Sequence, residues 1–203
     1  MKKLISWMLM LGILCSSQSS LFSKHKKDRN GKKLGEQLYV AAQRGHIKKI
    51  KKTLKNGVDI NYTDGRSETA LHEAADEGHL EVVKYLVEGC VKDGSREKGA
   101  DIRIRDSKGR TALWQAVDEG REDVVKYLIS KGADVNIKSK KGIPLLQEAV
   151  LEKKLSVVKM LVENGADIYA TNKRGKKPVY YAKKKIKAYL QGLEKKQPVP
   201  AVK

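Results

Sequence analysis

The stretch TALHEAADEGHLEVVKYL, starting at Thr69, and the stretch TALWQAVDEGREDVVKYL, starting at Thr111, share 12 of 18 positions at an interval of 42 residues. Other copies set a shorter interval. GADV at Gly132 recurs as GADI at Gly165, Val124-Val125 recurs as Val157-Val158, and AAQRGH at Ala41 recurs as AADEGH at Ala74, each 33 residues on. Aligning YLISKGADV with YLVEGCVKDGSREKGADI assigns the nine surplus residues to GCVKDGSRE, Gly89 to Glu97. The period is therefore 33 with one enlarged loop, and a fixed period of that size is the signature of a solenoid array.

Within one period the apolar residues report two helices. Leu80, Val82, Val83, Leu86 and Val87 lie at helical spacing, as do Val124, Val125, Leu128 and Ile129, and again Val157, Val158, Leu161 and Val162. A shorter helix, carrying Leu71, Ala74 and Ala75 in one copy, comes before. Gly45, Gly78 and Gly120 separate the two, where a tight turn favours a residue tolerant of positive φ. Gly57, Gly99, Gly132 and Gly165 follow the second helix at the position of a C-terminal cap. Thr69 and Thr111 stand where a hydroxyl caps the first helix. Each unit is then helix, turn, helix and extended polar loop, and it buries its apolar face only against its neighbours.

These residues resemble the ankyrin repeat, whose threonine-to-histidine start, Gly-His turn, Val-Val second helix and Gly-Ala-Asp-Val-Asn end appear here as TALHEAADEGH, VVKYL and GADVN. The resemblance covers residues 34–193. It implies an all-α solenoid of stacked helix-turn-helix units with extended finger loops. The repeats fall at about 34–64, 65–106 with the insertion 89–97, 107–139, 140–172, and a truncated 173–193. Trp114 and Gln147 replace the motif histidine seen at His72, Lys153 stands at the turn-glycine position, and Pro144 stands at the threonine position. The fourth repeat is therefore expected to have a looser helix turn and fewer motif hydrogen bonds.

The ends differ from the array. Residues 1–20 carry Lys2 and Lys3, an apolar run from Leu4 to Leu14, then small polar residues, which is the layout of a secretory signal peptide. Export is the expectation, to the periplasm, envelope or medium. Lipid anchoring at Cys15 is the weaker alternative, because Leu14 is large where such sites take a small residue. After cleavage Cys90 is the one cysteine left, so a monomer with a loop thiol is expected and a Cys90-linked dimer is the alternative. Residues 21–33 and 194–203 lack the apolar content to order themselves and read as a flexible basic linker and a flexible tail.

Of the chain's net charge of +19, residues 24–56 and 173–203 each contribute +10, while 57–172 contribute −3. Two basic ends flanking a near-neutral array would suit contact with an anionic surface or polymer, or serve only as a solvated surface. No specific nucleic-acid binding is expected.

Nothing in the sequence has the spacing of an active site. It contains no HExxH, no Cys/His set with zinc spacing and no GxxxxGK[ST] loop. His46, His72 and His79 are already explained by the repeat, and Asp76-Glu77 and Asp118-Glu119 recur at one repeat position, as an exposed helix end would. The expected class is a non-catalytic protein-binding module without cofactor, metal or catalytic residues. By the resemblance, its binding face is made of fingertips (Arg66, Glu68, Lys108, Arg110, Lys140, Lys141, Lys173, Arg174) and first helices (Asp118 and Glu119 among them). The groove should be basic along its fingers and acidic along its floor, suiting a partner that carries both signs. Trp114 is either an exposed anchor or a residue packed between repeats. The insertion is either a specificity element or a tolerated loop.

Overall fold

The computed structural model describes residues 31–89, 91–92, 95–96 and 98–196. The expected signal peptide, Cys15, residues 21–30, Cys90 and residues 197–203 lie outside the described residues. Five helix pairs follow one another: α1 (31–43) with α2 (Ile47–Lys55), α3 (Ala70–Asp76) with α4 (Leu80–Glu88), α5 (Ala112–Glu119) with α6 (Glu122–Ser130), α7 (Leu145–Leu151) with α8 (Leu155–Glu163), and α9 (Pro178–Tyr181) with α10 (Lys184–Lys196). Contacts run α3–α5–α7–α9 along one layer and α4–α6–α8–α10 along the other. This is the expected all-α solenoid. No described helix is long and apolar enough to cross a membrane.

The periodic apolar residues are the core. Val82, Val83, Leu86, Val124, Val125, Leu128, Val157, Val158 and Leu161 are buried, as are Leu71, Leu113 and Leu146 of the first helices. One continuous apolar cluster runs from Leu38 to Leu190, because each pair covers the face its neighbour leaves open.

The helix-to-helix turn repeats closely. Gly45, Gly78 and Gly120 are left-handed, at φ 66°, 77° and 70°. They also lie under a side chain from the next repeat: a Cβ would meet His79, Arg121 or Lys154 at 2.8–2.9 Å. These crossing residues tie the layers, with His79 Nε2 2.9 Å from the Gln43 carbonyl oxygen and Arg121 Nε donating to that of Asp76 at 2.7 Å. The fourth turn keeps the left-handed form but closes more loosely, as expected from Lys153: its closing bond is 3.2 Å, against 2.8–2.9 Å in the other three. Lys153 takes φ 58°, and Lys154 N–H donates to the Ala149 carbonyl as Arg121 N–H does to that of Ala116. Lys153 is exposed, so helix packing imposes the left-handed turn and the side chain points to solvent at a conformational cost.

The fourth repeat does lose its hydroxyl cap, since Pro144 makes no side-chain bond at that N-terminus. Its loss of hydrogen bonds is only partial: Gln147 Oε1 accepts from Asn172 Nδ2 of the next finger at 2.9 Å. In the second repeat Thr69 and His72 form the reciprocal cap. With Nδ1 accepting the Thr69 N–H, Nε2 carries the ring proton and donates to the Arg110 carbonyl at 3.2 Å, joining two repeats. Burial holds the His72 ring below the ordinary histidine range, outweighing that bond and the charges of Asp106 and Glu68.

Three boundaries are corrected. Residues 31–33 belong to α1: a charged first turn needs no apolar area of its own when Leu38, Ala41 and Ala42 further along are packed. Residues 194–196 likewise belong to α10, continuing beyond the buried Leu190. Finally, Gly89 and not Gly99 ends α4, at a positive φ of 83° with an extended ψ of 161°. After it, Val91–Lys92 (β1) pairs antiparallel with Ser95–Arg96 (β2). The hairpin returns the chain so that Ala100 N–H reaches the Leu86 carbonyl at 2.8 Å, the bond Ala133 makes to Leu128 and Ala166 to Leu161. Gly99 is instead pressed against the Val87 carbonyl, 2.0 Å from where a Cβ would sit. The insertion thus leaves the repeat's own closure intact.

Candidate protein-binding groove

Each finger is built around one side-chain acceptor that sequence reading did not single out. Asp64 Oδ1 accepts from the N–H groups of Arg66 and Glu68, and Asp106 Oδ1 from those of Lys108 and Arg110. Asn172 Oδ1 does the same for Arg174 and Lys176, and Ser139 Oγ accepts from Ile143. The signal was present as Asp, Asp, Ser and Asn at one repeat position, since short acceptors there close turns. Burial pushes the Asp106 carboxyl up, but these N–H donors and the Arg110 guanidinium outweigh it and hold the group below the usual range. Adjacent fingers are joined through Ser107 N–H to the Arg66 carbonyl (2.8 Å) and Lys140 N–H to that of Lys108 (2.9 Å). The second, third and fourth fingertips therefore form one edge-to-edge row.

The side chains on that row fall into two groups. Arg66 is exposed yet internally neutralised: it pairs with Asp64 at 3.2 Å and Glu68 at 2.8 Å, and it donates to the Tyr39 hydroxyl, which donates to Glu73. Arg110 is only 15% exposed and pairs with Asp106 at 2.8 Å, Glu68 at 3.6 Å and Asp118 at 3.7 Å. Glu68, expected at a fingertip, is 4% exposed and lies beneath both arginines and Gln115. It is a structural counter-ion. Trp114, 2% exposed, is packed between repeats, and the anchor alternative falls. Both corrections have one cause: these residues sit at the finger base and motif column, which the next repeat covers.

Lys108, Lys140, Lys141, Lys173 and Arg174 are exposed. Among the described residues none of them is within ion-pair distance of a carboxylate. Two clefts open between their fingers. One of about 440 Å³ is lined by Lys108, Arg110, Trp114, Lys140, Lys141, Ile143 and Glu148, and one of about 430 Å³ by Lys141, Ile143, Gln147, Lys173, Arg174 and Tyr181.

The floor is acidic, and part of it is less exposed than its helix-end position implied. Glu77 and Glu119 are exposed, but Asp76 and Asp118 are half-buried. Burial pushes the Asp76 carboxyl up to about 6, with Glu119, Glu73, Glu77 and Asp118 adding to it. Burial, Asp118 and Glu152 likewise push Glu148 up to about 7 against the pull of Arg110. Asp118, Glu148 and Glu152 place carboxylate oxygens within 4.8 Å of one another, the one grouping among the described residues with a spacing suited to a cation. Its members come from adjacent repeats, so no local motif announces it. Arg110 already supplies a positive charge beside Asp118.

The chain is 43% identical over 53 residues to the mitochondrial liver isoform of glutaminase from Rattus norvegicus, covering 26% of this chain and 9% of that protein. It is 40% identical over 68 residues to acyl-CoA-binding domain-containing protein 4 of Oryza sativa subsp. japonica, covering 34% and 20%. It is 44% identical over 50 residues to L-asparaginase of Dirofilaria immitis, covering 25% and 8%. The chain thus spans a fifth or less of the length of these relatives, and the enzyme matches fall on ankyrin-like regions. The family model for ankyrin repeats in three copies matches residues 38–139, and that for a single ankyrin repeat matches 141–173. Those residues run from within α1 to the start of the fifth finger, and the chain belongs to the ankyrin-repeat family.

Proposed function

We propose that this protein is an exported, non-catalytic module that binds a protein partner on its concave face. The observation that carries the reading is the contiguous finger row, which ends in exposed cations above two open clefts and an acidic floor. A partner bearing both charge signs complements such a surface better than a bare polyanion does. The test is site-specific photo-crosslinking in the native cells, with the crosslinker at position 140 in the groove or at position 52 on the exposed face of α2. Adducts from 140 and none from 52 are expected. Adducts from 52 alone would refute the concave face. Export rests on the basic–apolar–polar pattern of residues 1–20, and intact mass of the protein from its native cells should show their loss.

A second reading, contact with an anionic surface or polymer through the ends, is favoured by the exposed Lys48, Lys49, Lys51, Lys52 and Lys55 of α2 and Lys183, Lys184, Lys185 and Lys187 at α10. It requires binding to anionic vesicles or nucleic acid that falls steeply with salt. Binding that survives removal of both basic ends eliminates it.

A further inference from the structure

We infer that the exposed face of α2 is a dock for an anionic lipid surface, holding the array against a bilayer while the groove stays open to its own partner. The inference deepens the reading of contact through the basic ends and rests on it, narrowing that contact to one helix and one class of ligand. α2 reads IKKIKKTLK, and Lys48, Lys49, Lys51, Lys52 and Lys55 are all exposed. At helical spacing Lys48, Lys51, Lys52 and Lys55 fall on one side, opposite the buried Ile50, Thr53 and Leu54. The helix itself carries no carboxylate. Among the described residues none of the five lysines is within ion-pair distance of one either. The Lys51 ammonium instead lies 5.1 Å from the centre of the Tyr85 ring.

The second helices of the next repeats do not share this design. At the position of Lys48 they carry Glu81 and Asp123, at that of Lys55 Glu88 and Glu163, and at that of Lys49 the buried Val82, Val124 and Val157. A terminal repeat needs a polar outer face, which accounts for replacing the valine but not for one sign of charge throughout. Lysines three and four apart repel one another, and Lys48 and Lys49 stand at the positive end of the helix dipole. The stripe thus lowers stability where mixed charges would not, and an external anionic surface offsets that cost. The side chains select the class of anion. All five are lysines, hydrated point charges without the planar fork that grips one carboxylate or phosphate in two places. Lysine is also depleted in protein–protein interfaces. A single-stranded nucleic acid stacks its bases on open aromatic rings, and the ring beside the stripe, Tyr85, already takes the Lys51 ammonium. An anionic bilayer needs neither device, since each lysine near it strengthens binding by about fivefold. Because α2 is the second helix of its pair, whereas fingers and first helices line the groove, both contacts fit one molecule.

The experiment is co-sedimentation of the full mature chain with vesicles of phosphatidylcholine, alone or with about one-third phosphatidylglycerol, beside fluorescence anisotropy with a labelled single-stranded oligonucleotide. Binding is expected to the anionic vesicles alone and should fall steeply with salt. Three double variants change the net charge equally: Lys48→Glu with Lys52→Glu on α2, Lys185→Glu with Lys187→Glu on α10, and Lys140→Glu with Lys141→Glu in the groove. The α2 variant should lose at least about tenfold in vesicle binding, and the other two should stay within about threefold. The α2 variant should melt no lower than the wild type, because carboxylates at those positions relieve the repulsion along the helix. Its lost binding then reads the contact and not the fold. Full binding by the α2 variant, equal loss in the α2 and α10 variants, or equal binding to neutral vesicles would each overturn the inference. Oligonucleotide binding without vesicle binding removes the lipid and leaves contact through the basic ends standing; binding to neither brings down both.

Discussion

The two halves of the groove present the same repeat positions and use them differently. In the N-terminal half, Arg66 and Arg110 turn inward onto Asp64, Asp106, Glu68 and Asp118, and Tyr39 closes the network against Glu73. In the C-terminal half Ile143 and Lys176 stand where Glu68 and Arg110 stand, so no buried counter-ion draws Lys140, Lys141, Lys173 and Arg174 down. One charge pattern on the surface is thus two kinds of object. A cation with a buried carboxylate beneath it holds repeats together, and a cation without one remains available to a partner.

Removing the buried counter-ion is the largest test of this difference. Glu68→Ala takes the shared carboxylate from Arg66 and Arg110, which keep Asp64 and Asp106, and should cost about 2 kcal/mol, the scale of a hydrogen bond to a charged group. Lys141→Ala should cost under about 0.5 kcal/mol, as a solvated surface change does. Urea unfolding of both variants measures the contrast, and equal losses would abolish the distinction between the halves.

The acidic floor supplies a pH test. Glu148 binds its proton more tightly in the folded chain than in the unfolded one, with a folded value of about 7. Its stabilisation is therefore complete below the ordinary glutamate range and is lost as pH rises through about 7. Asp76 acts in the same direction with a value of about 6. His72, held low by burial, destabilises as pH falls below its unfolded value, but equally in both proteins compared. Glu148→Gln should leave stability at pH 5 nearly unchanged and raise it at pH 8 by about 1 kcal/mol, the scale of a partly screened contact between charges. Thermal unfolding across that range checks the sign; a variant with the wild-type slope would remove Glu148 as its source.

The smallest expected effect sharpens the view that packing imposes the turn at Lys153. Lys153→Gly removes the cost of a left-handed side chain but loosens the unfolded chain, leaving a net gain of about 0.5 kcal/mol. A loss in melting temperature would show that Lys153 contributes contacts of its own.

How much was legible follows from the range of each interaction. Helices, turns and caps depend on neighbours within a few residues, so Val124-Val125, Gly120 and Thr111 announce themselves. The motif column shows the limit. Tyr39, His72, Trp114, Gln147 and Tyr180 occupy one repeat position. Yet His72 bonds the Arg110 carbonyl, Gln147 bonds Asn172, Trp114 is buried and Tyr180 is 65% exposed at the end of the array. What each does depends on the repeat stacked on it.

The sequence by itself determined the period, the all-α solenoid, the near-neutral array between basic ends and the row of charged fingertips, because all of these are set by local spacing and composition. Only the tertiary structure decided which fingertip cations are free, that Glu68 and Trp114 are buried, that Gly89 ends α4, and that Asp118, Glu148 and Glu152 converge. Those outcomes depend on which side chains adjacent repeats bring within a few ångströms. Coulomb and packing energies are decided by that distance and by exclusion of water, neither of which is written along the chain.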